Sequence, residues 1–166
     1  IERGELIKTK IVSVASEELK KASVAERMGK RPIEWSLENV EGVYQYVKTL
    51  SAGCYLHINQ EYRNTKLGFT SLGEKGKKSE DIRSEVGLRF KDIINSNATV
   101  DHFTADQLLI YLALAGEGSF ITNQITDHVR TIAVLIEKFL PVRFTICGLE
   151  VKANYFKEKS FDSEDK

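Results

Sequence analysis

A change of hydrophobic period at Pro141 constrains this chain more than any other feature. Ile125, Val129, Ile132, Ile136 and Phe139 recur at steps of four and three, the stripe of an amphipathic helix. That pattern predicts a helix over 126–140, which Pro141 ends. Beyond it, Val142 to Cys147 reads as a strand and Leu149 to Phe156 as another. A chain carrying both periods back to back has to lay helices on sheet.

The same reading runs backwards through the chain. Glu5 to Val14 is a strand. Ser16, followed by Glu17 and Glu18, predicts a helix start and a helix reaching Met28, closed by Gly29. Pro32 to Leu37 reads as a second strand. Glu38 to Leu50 is ambiguous, although Val40, Val43, Tyr44, Val47 and Leu50 fit a helical stripe. Ala52 to Tyr62 and Lys66 to Leu72 form the clearest hairpin, with Cys54, Leu56 and Ile58 on one side and Tyr55, His57 and Asn59 on the other. Ser79 opens a helix to about Ile94, on the stripe Ile82, Val86, Phe90 and Ile94. Thr104 to Ala115 is apolar almost all round, which predicts a buried helix. Gly116 and Gly118 read as turn and cap glycines, and Ser119 to Thr122 as a short strand. The fold class expected is α+β, with helices packed on mixed β-sheet. Units are expected over 1–98 and 99–156, with a charged, disordered tail over 157–166.

Composition excludes several classes. Among 166 residues, 42% are apolar and 29% charged, the balance of a globular domain. No apolar run approaches the ~20 residues that span a bilayer. Lysine and arginine balance aspartate and glutamate, 24 against 24, which argues against strong non-specific binding to duplex DNA. Cys54 and Cys147 lie far apart in apolar runs and read as buried free thiols of a reducing compartment. The chain opens on Ile1 and enters strand-like sequence at once, so a fragment, a cleaved product or an incomplete chain is the expectation.

Four words carry a resemblance. They are Ala105-Asp106-Gln107-Leu108-Leu109, then Ala113-Leu114-Ala115-Gly116-Glu117-Gly118-Ser119-Phe120, then His128, then Ile136-Glu137-Lys138-Phe139-Leu140-Pro141-Val142-Arg143-Phe144. Together with Val24-Ala25-Glu26-Arg27-Met28 and Leu72-Gly73-Glu74-Lys75-Gly76-Lys77, they resemble the RNA 3'-terminal phosphate cyclase family. The resemblance implies that 1–98 is a small inserted α+β domain and 99–156 the last βαβ-type repeat of a larger catalytic domain. It implies a cytoplasmic protein, or a nuclear one in a eukaryote, that makes a 2',3'-cyclic phosphate at an RNA 3' end. ATP and a divalent metal (Mg or Mn) would serve the reaction, the rest of the site lying in a missing N-terminal half.

By the same resemblance His128 is the nucleophile that accepts AMP, and Phe103, Asp106 and Gln107 line the adenylate pocket. By spacing alone His128 is a surface histidine at a helix start, where an uncharged ring with a free lone pair is favoured and a phosphate is welcome. Gln107 also fits a capping box with Thr104. Lys75, Lys77 and Lys78 form the local basic cluster, most simply a solvated loop. His57 and His102 have no metal-ligand spacing and receive no site. Within the family, a non-catalytic branch acts in ribosome assembly and lacks the histidine; His128 favours the enzyme.

Overall fold

A computed structural model describes residues 2–30 and 39–156 of the chain. The predicted strand at 32–37 and the predicted disordered tail lie outside these residues. The chain divides between Thr99 and Val100 into two compact units, and no helix among the described residues is long and apolar enough to cross a membrane.

The N-terminal unit is a four-stranded mixed sheet with two helices on one face. Its strands are β1 (Leu6–Ser16), β2 (Val40–Val47), β3 (Cys54–Tyr62) and β4 (Lys66–Leu72), in the order β2-β1-β3-β4. Only β1 and β2 run parallel, and helix α1 (Val24–Gly29) lies between them in the chain. Helix α2 (Ser79–Ile94) follows the β3–β4 hairpin. Ile11, Leu56, Ile58, Leu67 and Phe69 from the sheet meet Met28 of α1 and Ile82, Val86, Phe90 and Ile93 of α2 in one buried core. Arg3 closes the end of α2 by donating to the carbonyls of Ile93, Ser96 and Ala98, where a cation offsets the exposed carbonyls.

Two expectations for this unit change. The helix predicted from Ser16 to Met28 is split into a 3-10 turn over Glu17–Ala22 and α1, with Ser23 between them at φ 50°. Ser16 does not cap it, because its hydroxyl accepts the Gly53 N–H instead. The ambiguous segment 38–50 holds β2, not a helix: pairing with β1 from Thr9–Val40 to Ser16–Val47 overrides the apparent stripe, and β-branched and tyrosine residues suit a strand.

The C-terminal unit contains α3 (His102–Ala115), β5 (Glu117–Ile121), α4 (Asp127–Glu137), β6 (Val142–Cys147) and β7 (Glu150–Tyr155). Strand β7 sits between β5 and β6, antiparallel to both. So β5–α4–β6 is a βαβ crossover split by a third strand. Ala105, Leu109 and Ala113 of α3 and Val129, Ala133 and Ile136 of α4 pack with Phe120, Val142, Phe144, Val151 and Ala153.

Helix α3 is not buried all round. Three of its residues are buried, while Phe103, Ile110, Tyr111 and Leu114 are exposed, as are Val134, Leu135 and Phe139 along α4 and just beyond it. One small sheet covers one side of the helix layer, and apolar residues remain on the other. Phe139 leaves the predicted stripe because α4 ends at Glu137. Gly116 is a left-handed cap at φ 83°, as expected, but Gly118 lies within β5. A Cβ there would meet Leu112 Cδ2 at 2.6 Å. Of the two free thiols, Cys54 is half-buried and Cys147 is exposed, since strand alternation turns Phe144 and Ile146 inward and Cys147 out.

Candidate active site

The starts of α3 and α4 are built on one short paired stretch. Val100 bridges Thr122 in parallel, and its N–H donates to the Ile121 carbonyl at 3.1 Å. The His102 N–H donates to Asn123 Oδ1 at 3.0 Å. The first turn of α3 is thereby tied to the segment that leads into α4. Where the chain enters each helix, a side chain caps it. Asp101 Oδ1 accepts the Thr104 N–H at 2.7 Å, and Thr126 Oγ1 accepts the Val129 N–H at 3.2 Å.

The cap of α3 corrects a sequence expectation. Asp101, not Thr104, is the capping residue, so the helix begins two residues early and Thr104 becomes the third residue inside it. Asp106 and Gln107 therefore lie in the second turn, and Gln107 has no capping partner. Its amide donates instead to Asp106 Oδ1 at 3.1 Å.

Phe103 and His128 occupy the same position, the second residue inside α3 and α4 respectively. Both are exposed. At that position a residue sits beside backbone N–H groups that have no partner within the helix. Phe103, Asp106 and Gln107 stand three and four residues apart, which sets them on one face of α3. His128 makes no hydrogen bond with them, and the Val100–Thr122 and His102–Asn123 ties are what link the two helix starts. Asp106 is half-buried and Gln107 exposed.

One neighbour escaped the sequence reading. The His102 ring lies 4.0 Å from that of Phe103, centroid to centroid, tilted by 37°. Its Nδ1 is buried without a hydrogen-bond partner. The unsatisfied atom came with no spacing signal, because a lone histidine has none. The ring contact stiffens the aromatic side chain at the head of α3.

Other features fall away from this end. An open groove lined by Leu114, Gly116, Glu117, Asn154 and Tyr155 lies at the opposite end of α3. Lys77, in the basic loop, pairs with Glu85 and Ser71, and Lys78 precedes α2 as its cap. Among the described residues no three of His, Cys, Asp and Glu gather as metal ligands.

A sequence model of the RNA 3'-terminal phosphate cyclases matches residues 7–146. The chain belongs to the RNA 3'-terminal phosphate cyclase family. It is 34% identical over 153 residues to the RNA 3'-terminal phosphate cyclase of Sulfurisphaera tokodaii, covering 89% of this chain and 44% of that protein. To the cyclase of Ralstonia nicotianae it is 33% identical over 129 residues, 75% of this chain and 37% of the relative. With the Nitrosospira multiformis cyclase it shares 42% identity over 84 residues, half of this chain and 24% of the relative. The chain thus spans less than half the length of the cyclases it matches. Phe103, Asp106, Gln107 and His128 all fall inside the family match.

Proposed function

We propose that this chain forms the C-terminal part of an ATP-dependent RNA 3'-terminal phosphate cyclase, with His128 as the residue that carries AMP. The observation that supports this best is the placement of His128 at the open start of α4, tied through Asn123 and Thr122 to the start of α3. An imidazole nitrogen of His128 attacks the α-phosphate of ATP. A P–N bond forms, the bond from the α-phosphorus to the bridging oxygen breaks, and pyrophosphate leaves. The RNA 3'-phosphate then displaces the imidazole and takes the AMP. Finally the neighbouring 2'-hydroxyl attacks the activated phosphorus, and AMP departs as the 2',3'-cyclic phosphate closes.

This chain's residues have distinct parts in that sequence. The α4 start offers backbone N–H groups to the phosphate being attacked. Phe103, backed by His102, offers a ring face to adenine. Asp106 and Gln107 reach the ribose side from the next turn of α3. In this reading, the polypeptide that the relatives carry beyond the matched span covers the apolar helix face at Phe103, Tyr111, Leu114 and Leu135, because exposed apolar patches mark interaction surfaces.

The test uses the protein joined to that remaining half. Incubation with α-labelled ATP should give an acid-labile protein–AMP adduct, and His128→Ala should abolish it. The fold should survive, because the buried stripe of α4 is Val129, Ala133 and Ile136. A folded His128→Ala protein that still takes up AMP would overturn the assignment.

A further inference from the structure

In the N-terminal unit, α1 and α2 cover one face of the sheet, and no other described element of this unit packs on the opposite face. Register and strand alternation fix what that face carries. One cross-strand row is Gln45, Val14, Tyr55 and Leu72. The next is Val43, Val12, His57 and Thr70, and the next Glu41, Lys10, Asn59 and Gly68. Glu61 and Lys66 follow, with Lys8 at the end of β1.

His57 is held in place on this surface. Its Nδ1 lies 2.8 Å from Thr70 Oγ1. Its ring lies over Gly68, where an added Cβ would come within 3.2 Å of His57 Cε1. Glycine at that position lets the ring lie down across β4. Tyr55 stands two residues away on the same strand and face, part-exposed. Their backbone positions are thus about 7 Å apart along β3. Beyond them comes the amide of Asn59, then the charged row. Lys8 pairs with Glu41, and Lys66 with Glu61 at 2.9 Å. Lys10 faces Glu41 across β1 and β2 and shares its charge with Lys8, so Lys8, Lys10 and Lys66 stand against Glu41 and Glu61 and leave one positive charge in excess.

We propose that this face binds single-stranded RNA, with bases stacked on Tyr55 and His57 and a phosphate beside Lys10. This rests on the reading that RNA is the chain's substrate, and places the strand upstream of the reacting 3' end. Ring faces spaced along one strand of an open four-stranded sheet suit unpaired bases, which every sequence can supply. The surplus cation suits their phosphates. A protein partner is the poorer fit, since an interface centre is apolar and desolvated and here His57, Asn59 and Thr70 occupy the centre.

The experiment is fluorescence anisotropy of a labelled single-stranded RNA oligonucleotide, titrated with the full 166-residue chain in the absence of ATP. Binding should weaken with salt and should be weaker for duplex RNA. Tyr55→Leu and His57→Leu keep bulk but remove the rings, and each should lose roughly tenfold in affinity. Lys10→Glu should weaken binding and flatten its salt dependence. Absence of binding overturns the proposal, as does equal binding by a folded Tyr55→Leu, His57→Leu double variant. If that double variant does not fold, Lys10→Glu decides, and unchanged affinity overturns it. RNA binding here without adenylation in the complete protein would remove the proposed chemistry and leave this face standing.

Discussion

The two units solve the same packing problem to different degrees. In the N-terminal unit, large side chains from sheet and helices meet in a closed core, and α2 turns Arg89 and Lys91 outward, with Leu88 the one large apolar residue exposed beside them. In the C-terminal unit, the helix layer is apolar on both sides: Leu109 is buried against the sheet while Leu114 is 69% exposed. A helix apolar all round belongs between two layers, and this unit supplies one. The first unit closes its own core, and the second leaves one side of its helix layer open. The difference teaches that burial within a chain of this kind reports which part is self-sufficient.

The contrast can be broken most directly by paired truncations. Leu56→Ala, in the closed core, should cost about 2–5 kcal/mol in urea unfolding. Leu114→Ala, on the open helix face, should change stability by no more than about 0.5 kcal/mol. Equal losses would show the helix face to be covered after all. A smaller effect sharpens the account of α3. Asp101→Ala should cost about 1 kcal/mol by removing its cap, and Thr104→Ala only a few tenths, read by amide exchange along the helix. The reverse order would restore Thr104 as the cap.

Some of this was legible in the sequence, and the reasons are local. The hairpin, α2 and α4 have strong periods and clear ends, so their residues announce them. Segment 38–50 does not, because its valines and tyrosines satisfy a helical stripe as well as a strand, and only pairing with β1 decides. Asp101 is hard to read as a cap because Thr104 and Gln107 offer a plausible one three residues later. The exposed face of α3 could not be read from the chain, since apolar residues all round say that a helix needs two covers, not whether both are present. For the candidate site, the residues came from resemblance. Their arrangement came from long-range ties, the Val100–Thr122 bridge and the Asn123 contact, which no periodicity encodes.

The smallest predicted effect probes the sheet face opposite the helices. Burial holds His57 below the ordinary histidine range. The unfolded chain therefore takes up a proton near its free value of about 6.5, where the folded chain resists it. Stability is complete above that pH and falls as pH drops towards the folded value. His57→Gln should flatten the decline between pH 7.5 and 5 in thermal unfolding of the chain. An unchanged slope would assign the acid sensitivity elsewhere.

The two cysteines fall one in each unit, and they differ in reactivity as well as position. Burial raises the Cys54 thiol above its ordinary range, partly offset by Lys77, while Cys147 stands exposed at the end of β6. Alkylation proceeds through the thiolate. Cys147 should therefore react faster than Cys54. Each unit thus carries its own thiol, and the ratio of their alkylation rates compares the two units within one molecule.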